Sequence, residues 1–379
     1  MQHGLSVKTI SATTLLLSVA FLGASCSSKA DGGVFFSSDI GETWEQRVFV
    51  GQEKKKVITI DALNVENIFF DPLNADVVYL ASTDSGLFKS TTVGEQWSQL
   101  PLQRTRIRDI GINPVNTQEI FATVDTSIQK TIDGGEHWET VYTDPRSATI
   151  LRVEPDWENP SRVYASTSTG NVLVSTDSGV TWTTALEVNE PITDIQIDPL
   201  NSAVLYAVEL DKNIHKSTDR GITWTALITE KTEWNELSTG FPANTNSQSA
   251  HKIKKPSSFR SLYIDPNNHL AVFFLSPQGI VRSLDGGATW AFLNTLIQQG
   301  AGENANIKSF MVLPGSDNTY MFSLGRIIHK SVDGGNTWKT IENFPSGRNI
   351  VTLSVSPLAP DRIFAGTQEP PKKKGLFGF

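Results

Sequence analysis

The 379-residue sequence contains one cysteine and no excess of positive charge: 32 lysines and arginines stand against 40 aspartates and glutamates, a net charge of −8. A single cysteine excludes a disulfide framework and any zinc site built on two or more thiolates. The acidic balance argues against nucleic acid as a partner, since neutralising phosphates takes a surplus of Lys and Arg. Also lacking are a Walker loop, a G-x-G-x-x-G after a strand, an H-E-x-x-H helix and a Ser-His-Asp arrangement, so no cofactor or metal is expected. Apolar residues make up 39% of the chain, enough for a large core and too many for disorder.

The first segment reads as a targeting signal. Met1 to Lys8 carries one cationic side chain, and 9–23 is a run of apolar and small residues too short for a permanent transmembrane helix. It ends in Leu22-Gly23-Ala24-Ser25-Cys26, which resembles a bacterial lipoprotein signal, although its large apolar residue stands four positions before the cysteine where three is commoner. The expectation is a signal peptide over 1–25, lipidation at Cys26 with a short linker over 26–32, and an exported chain anchored to the membrane. An ordinary secreted protein is the alternative.

Beyond the linker the sequence repeats. Seven segments follow S-x-D-x-G-x-T-W, and they place Trp44, Trp97, Trp138, Trp182, Trp224, Trp290 and Trp338 at intervals of 41 to 66 residues. Copy two is degenerate, with Thr92 for the Asp and Gln96 for the Thr, and copy three has His137 before its Trp. An apolar strand ending at a proline precedes each copy, at Asp71-Pro72, Asn113-Pro114, Glu154-Pro155, Asp198-Pro199, Asp265-Pro266, Leu313-Pro314 and Ser356-Pro357. A short β-run follows each proline. The unit therefore reads strand A, Pro turn, strand B, loop, strand C, Asp/Gly turn, strand D. Seven four-stranded antiparallel units predict an all-β, seven-bladed β-propeller over 33–379, with an insertion at 228–257. Asp39, Asp133, Asp177, Asp219, Asp285 and Asp333 read as turn staples, and the tryptophans as fillers between blades.

The copies SSDIGETW, STDSGVTW, STDRGITW, SLDGGATW and SVDGGNTW resemble the Asp-box, or BNR, repeat family. The resemblance covers essentially the whole chain after the linker. It implies the propeller fold and leaves function open, because family members include sialidases, xyloglucan hydrolases, sortilin-type receptors and the photosystem II stability and assembly factor. In size, blade number and lipoprotein signal the plan is similar to that assembly factor, which implies a role in membrane-protein assembly.

Strand counting closes the ring. Residues 349–364 supply strands A and B without a box, and 33–48 supply C and D, so both ends share blade seven; 375–379 also read as a C strand. In up-and-down blades the boxes fall on one face, and the B–C and blade-to-blade connections fall on the other. That second face collects Lys54, Lys55 and Lys56 in a loop at 50–57, Lys252, Lys254 and Lys255 in the insertion, and Lys372, Lys373 and Lys374 between strands B and C of blade seven. Arg106, Arg108, Arg260, Lys308 and Arg348 stand at or near the start of their A strands and are expected to rim the central channel. A basic face beside a lipidated Cys26 is expected to meet a membrane protein or an anionic membrane surface.

Two other classes stay open. Glycoside hydrolysis needs paired carboxylates across a cleft, for which Glu66, Asp109 and Asp194 are the candidates, with Tyr263 the one tyrosine on an inner strand. A glycan-binding module needs stacking aromatics, for which Trp234 and Phe241 are placed in the insertion. His215 and His329 share one repeat position and read as blade packing, as does His137.

Overall fold

The computed structural model describes residues 31–379, apart from 103, 230–231, 233, 237–258, 260, 278, 294–306, 317 and 371–379. Every regular element among the described residues is a β-strand, and the strands form seven antiparallel blades. The inner A strands are Val65–Phe70, Ile107–Ile112, Ile150–Pro155, Ile192–Ile197, Leu262–Ile264, Ile307–Val312 and Asn349–Val355. The B strands, such as Val78–Ser82, Ile120–Val124, Val163–Thr167 and Leu205–Glu209, are buried along their whole length. Their largely apolar sequence, broken only by residues such as Ser82, Thr123, Ser166 and Glu209, follows from coverage on both faces. The D strands carry the polar rim.

Blade seven closes as expected: Val34–Ser37 pairs with Ile363–Gln368 on one side and Glu45–Gln46 on the other. Val34–Ser37 thereby occupies the C position, and 375–379 lie outside the described residues. The side chain of Arg348, expected at the channel rim, is instead buried in this closure. Its Nη1 donates to the carbonyls of Ala62 (3.3 Å) and Leu63 (3.2 Å), and its Nη2 to Glu369 Oε1 (3.2 Å). Gly32 lies so close that a Cβ there would stand 2.5 Å from the guanidinium, which explains a glycine at that point.

The core is seven apolar clusters, each joining neighbouring blades. Each box tryptophan enters the cluster between its own blade and the one before it: Trp97 meets Val34 and Phe364 of blade seven, and Trp290 meets Tyr206 and Ile214 of blade four. The box turn is a closed hydrogen-bond set. In blade three, Ser175 Oγ donates to Asp177 Oδ1 (2.8 Å) and accepts from the Gly179 N–H (2.8 Å). Asp177 also accepts from the N–H (2.8 Å) and hydroxyl (2.6 Å) of Thr181, and Trp182 Nε1 donates back to the Gly179 carbonyl (3.0 Å). Gly179, at φ 90°, sits where an added Cβ would press on Phe121. In the degenerate copy Thr92 Oγ1 replaces the carboxylate as acceptor for the Gln96 N–H, and Trp97 Nε1 turns instead to the Arg47 carbonyl.

A second stitch uses the cation just before the box serine or threonine. Lys89, Lys130, Lys216, Arg282 and Lys330 each donate to a box carbonyl of the next blade: Gly134, Ser178, Gly286, Gly334 and Ile40, at 2.8 to 3.2 Å. Three of these lysines also lie over the rings of Tyr79, Phe121 and Tyr206 in their own B strands.

Three local readings change. Residues 50–57 are not a loop: Phe49–Glu53 and Lys56–Thr59 form a hairpin whose base bonds to the outer strand of blade one through Trp97 N–H and Phe49 O (2.9 Å). In the insertion, Trp234–Glu236 adds a parallel fifth strand to blade five beside Trp290–Phe292. In blade three the turn residue is Asp156, followed by Trp157, and Pro155 is the last residue of the A strand. The N–H of Asp156 makes the same bond (to Arg162 O, 2.8 Å) that Asp71 and Asp198 make in their blades.

Candidate functional site: the central channel

The seven inner strands surround a channel whose chemistry changes along its length. Most begin with a bulge, seen as register breaks at Val65/Asn67, Ile150/Arg152, Ile192/Asp194, Ile307/Ser309 and Ile350/Thr352. A bulge re-aims side chains, so two successive residues line the channel instead of one. The first of each pair, Glu66, Leu151, Thr193, Lys308 or Val351, joins Arg108 to form a mouth tier on the second face. The second of each pair lies four residues before the A–B turn in every blade. These are Asn67, Asp109, Arg152, Asp194, Ser261, Ser309 and Thr352, a polar ring inside the mouth.

This ring binds blade to blade. Asp109 Oδ2 accepts the N–H of Val153 (2.9 Å), Asp194 Oδ2 that of Leu262 (3.0 Å), and Ser309 Oγ that of Leu353 (2.8 Å), in each case on the next inner strand. Arg152 bridges the remaining carboxylate oxygens, with Nη1 3.4 Å from Asp109 and Nε 3.2 Å from Asp194. Burial opposes the charge on Arg152, but Asp194 and Asp109 outweigh it and hold the guanidinium more firmly protonated than usual. Burial raises Asp109 to about 6, against the pull of Arg152 and the Val153 N–H. One tier deeper, burial together with the charges of Asp109 and Asp194 lifts Glu154 to about 8. Tyr263, raised to about 12 by burial and by Asp194, lines the same depth.

The expected rim residues therefore separate. Arg108 and Lys308 line the mouth and have no hydrogen-bond or ion-pair partner among the described residues; burial and Arg106 depress the Arg108 pKa. Arg106 stands beside them, paired to Glu66 at 2.6 Å. Lys54, Lys55 and Lys56 are exposed at the hairpin tip. Lys252, Lys254, Lys255, Arg260, Lys372, Lys373, Lys374 and Cys26 lie outside the described residues, as does Phe241. The three candidate carboxylates do not form a free pair, because Glu66 is held by Arg106 and both aspartates by Arg152 and backbone N–H groups. His215 bonds Glu209 (2.9 Å), and His329 stacks on Phe322. The composition gave no hint of Arg152, Glu154 and Ser309; the signal that finds them is their fixed offset from the turn residue.

At the box face the channel widens into a funnel of about 580 Å³, lined by Phe70, Ile112 and Ile264 and ringed by Pro72, Pro114, Pro266 and Pro357.

Comparison with known proteins agrees with this architecture. The family described as sortilin, neurotensin receptor 3, matches residues 126–261. No curated protein matches significantly. Among solved structures, the GH74 enzyme of Niastella koreensis is 17% identical at a TM-score of 0.60, covering 81% of this chain and 51% of its own. YCF48 from Cyanidioschyzon merolae is 14% identical at 0.58, covering 80% and 95%, and YCF48 bound to D1 peptide is 13% identical at 0.59, covering 85% and 100%. The chain thus spans about half the length of the GH74 enzyme and nearly all of YCF48. At these identities the likeness defines the class, a seven-bladed β-propeller with sortilin-like, YCF48-like and GH74-like neighbours.

Proposed function

We propose that the chain is a non-enzymatic assembly scaffold, exported and tethered through a lipidated Cys26, that grips an acidic segment of a membrane-protein client at the mouth on its second face. The observation carrying this reading is the pair Arg108 and Lys308. In a protein of net charge −8, two cations stand at a channel mouth with no described partner, while the carboxylates just below are already committed to Arg152. Cations held ready in a concave, partly desolvated site attract anionic groups and set the orientation of a bound chain. The lysines of the hairpin tip, the insertion and the 372–374 stretch add sequence-level positive charge to the same set of connections. The YCF48 structure with a D1 peptide is a precedent for peptide capture on this fold. Pull-down with the full chain from detergent-solubilised membranes tests the reading. A stoichiometric membrane protein should be captured, and the double substitution Arg108→Glu/Lys308→Glu should abolish capture; retention by that variant would refute it.

A second reading, glycoside hydrolysis, rests on Glu154, which is protonated at neutral pH as a general acid must be, and on the GH74 neighbours. Turnover of a sugar polymer that is lost in Glu154→Gln would favour it. Sugar binding without turnover would point to a glycan-binding module.

A further inference from the structure

Thirteen large apolar side chains are exposed among the described residues, and their distribution is one-sided. Phe49 and Val57 are on the hairpin. The other eleven are on the box face, opposite the basic mouth. Leu358, Leu73, Val115, Trp157 and Leu200 stand in the A–B turns of blades seven, one, two, three and four, an uninterrupted arc around the funnel. Ile132, Leu284 and Val332 occupy the second box position, and Val180 and Ile222 the sixth. Box and turn share this face in every blade where backbone bonds join them, as at Ser178 N–H to Ser161 O (2.8 Å). In blade five the position matching Leu200 is Asn267, which is spent on a cross-link, donating to the carbonyls of Leu313 and Ser316 and accepting the Gly315 N–H, and the exposed apolar residue of that turn is Leu270, three positions further on. The indole of Trp157 is fixed by its bond to the Asp198 carbonyl (2.9 Å), which leaves its ring 40% exposed.

Charge decides what such a surface accepts. Six box aspartates ring the arc, and each already receives hydrogen bonds that favour its ionised form. The cations rooted on this face are occupied: Lys89, Lys130, Lys216, Arg282 and Lys330 by box carbonyls, and Arg220, Lys339 and Arg362 by Glu158, Glu42 and Asp76. The face therefore presents apolar side chains framed by six box carboxylates, none of which forms an ion pair with a lysine or arginine among the described residues. That pattern repels an anionic bilayer and complements a polypeptide carrying apolar and basic residues together.

We propose that the box face is a second docking surface, which takes a basic amphipathic segment of a protein partner with an apolar side chain in the funnel. The probe is a fluorescein-labelled peptide of alternating Leu and Lys, titrated against the full chain and compared with a Leu/Glu peptide and with phosphatidylcholine/phosphatidylglycerol vesicles. The Leu/Lys peptide should bind in a salt-sensitive manner. Leu73→Ser/Leu358→Ser should weaken binding at least about tenfold, equivalent to ~1.4 kcal/mol. Arg108→Glu/Lys308→Glu, on the opposite face, should leave it unchanged, which separates this proposal from the scaffold reading. Equal binding of the Leu/Glu peptide, indifference to the Leu73/Leu358 substitutions, or Leu73-dependent vesicle binding would each overturn it.

Discussion

Lys130 Nζ lies 2.9 Å from the carbonyl oxygen of Ser178, so a side chain of blade two closes on the box of blade three. The same ammonium pairs with Glu119 at 2.7 Å and sits 5.2 Å above the Phe121 ring. Replacing it by methionine keeps the stem and removes all three contacts. Lys130→Met should cost about 1–3 kcal/mol, the range for a charge-assisted hydrogen bond whose partners are left buried. Urea denaturation would read this as a lower midpoint at unchanged slope; an unchanged midpoint would show the stitch to be inert.

Arg348 presents a larger version of the same question. Its guanidinium ties the A strand of blade seven to 62–63 and to Glu369, so Arg348→Met should loosen the joint between the two ends of the chain. A loss of about 2–4 kcal/mol is expected from leaving two carbonyls and a carboxylate without their donor. Limited proteolysis should then cut first near 31–37 or 363–370. Cleavage elsewhere at an unchanged rate would argue that closure does not depend on this residue.

The box aspartates set the acid side of the stability profile. Hydrogen bonds from Thr181 and Ser175 lower Asp177 to about 2, and bonds from Thr223 and Ser217 do the same for Asp219. A carboxylate depressed in the folded state contributes stability that is present above its unfolded pKa, roughly 3.9, and lost as pH falls through about 2. Asp177→Asn should therefore flatten the fall of the denaturation midpoint between those values. A variant whose acid profile matched the parent protein would contradict this.

Glu154 acts in the opposite direction. Its folded pKa of about 8 lies above an unfolded value of roughly 4.3, so its contribution is complete below 4.3 and disappears as pH rises through 8. Glu154→Gln should leave the protein more stable than the parent above pH 8 and remove part of the decline between pH 5 and 8. Equal midpoints at pH 9 would show that the carboxyl ionises freely.

The blade count, the closure in blade seven and the sites of the tryptophans were legible because each repeats in register, and repetition averages out local ambiguity. Positions where one blade departs from the others were not. Pro155 imitated the turn proline because a tryptophan stands at the true site, and only the backbone bonding of Asp156 separates the two. The hairpin at 49–59 was hidden because its strands are mostly exposed and lack the apolar alternation that marks a half-buried strand. At the channel, basic residues were visible as composition, but their fates diverge with burial: Arg348 turns inward to carbonyls, and Arg108 faces the lumen. The apolar arc escaped notice because single exposed leucines look ordinary until the turns that carry them are seen to lie side by side.

The bulge that opens the inner strands divides labour between neighbouring side chains. Stitching through backbone N–H groups falls to the residue four before the turn, and the extra residue beside it faces the mouth, where Glu66 alone of these forms an ion pair, to Arg106. Leu151, Lys308 and Val351 can accordingly drift in size and sign while the toroid stays shut. One scaffold can in this way acquire new selectivities at its lumen without renegotiating its stability.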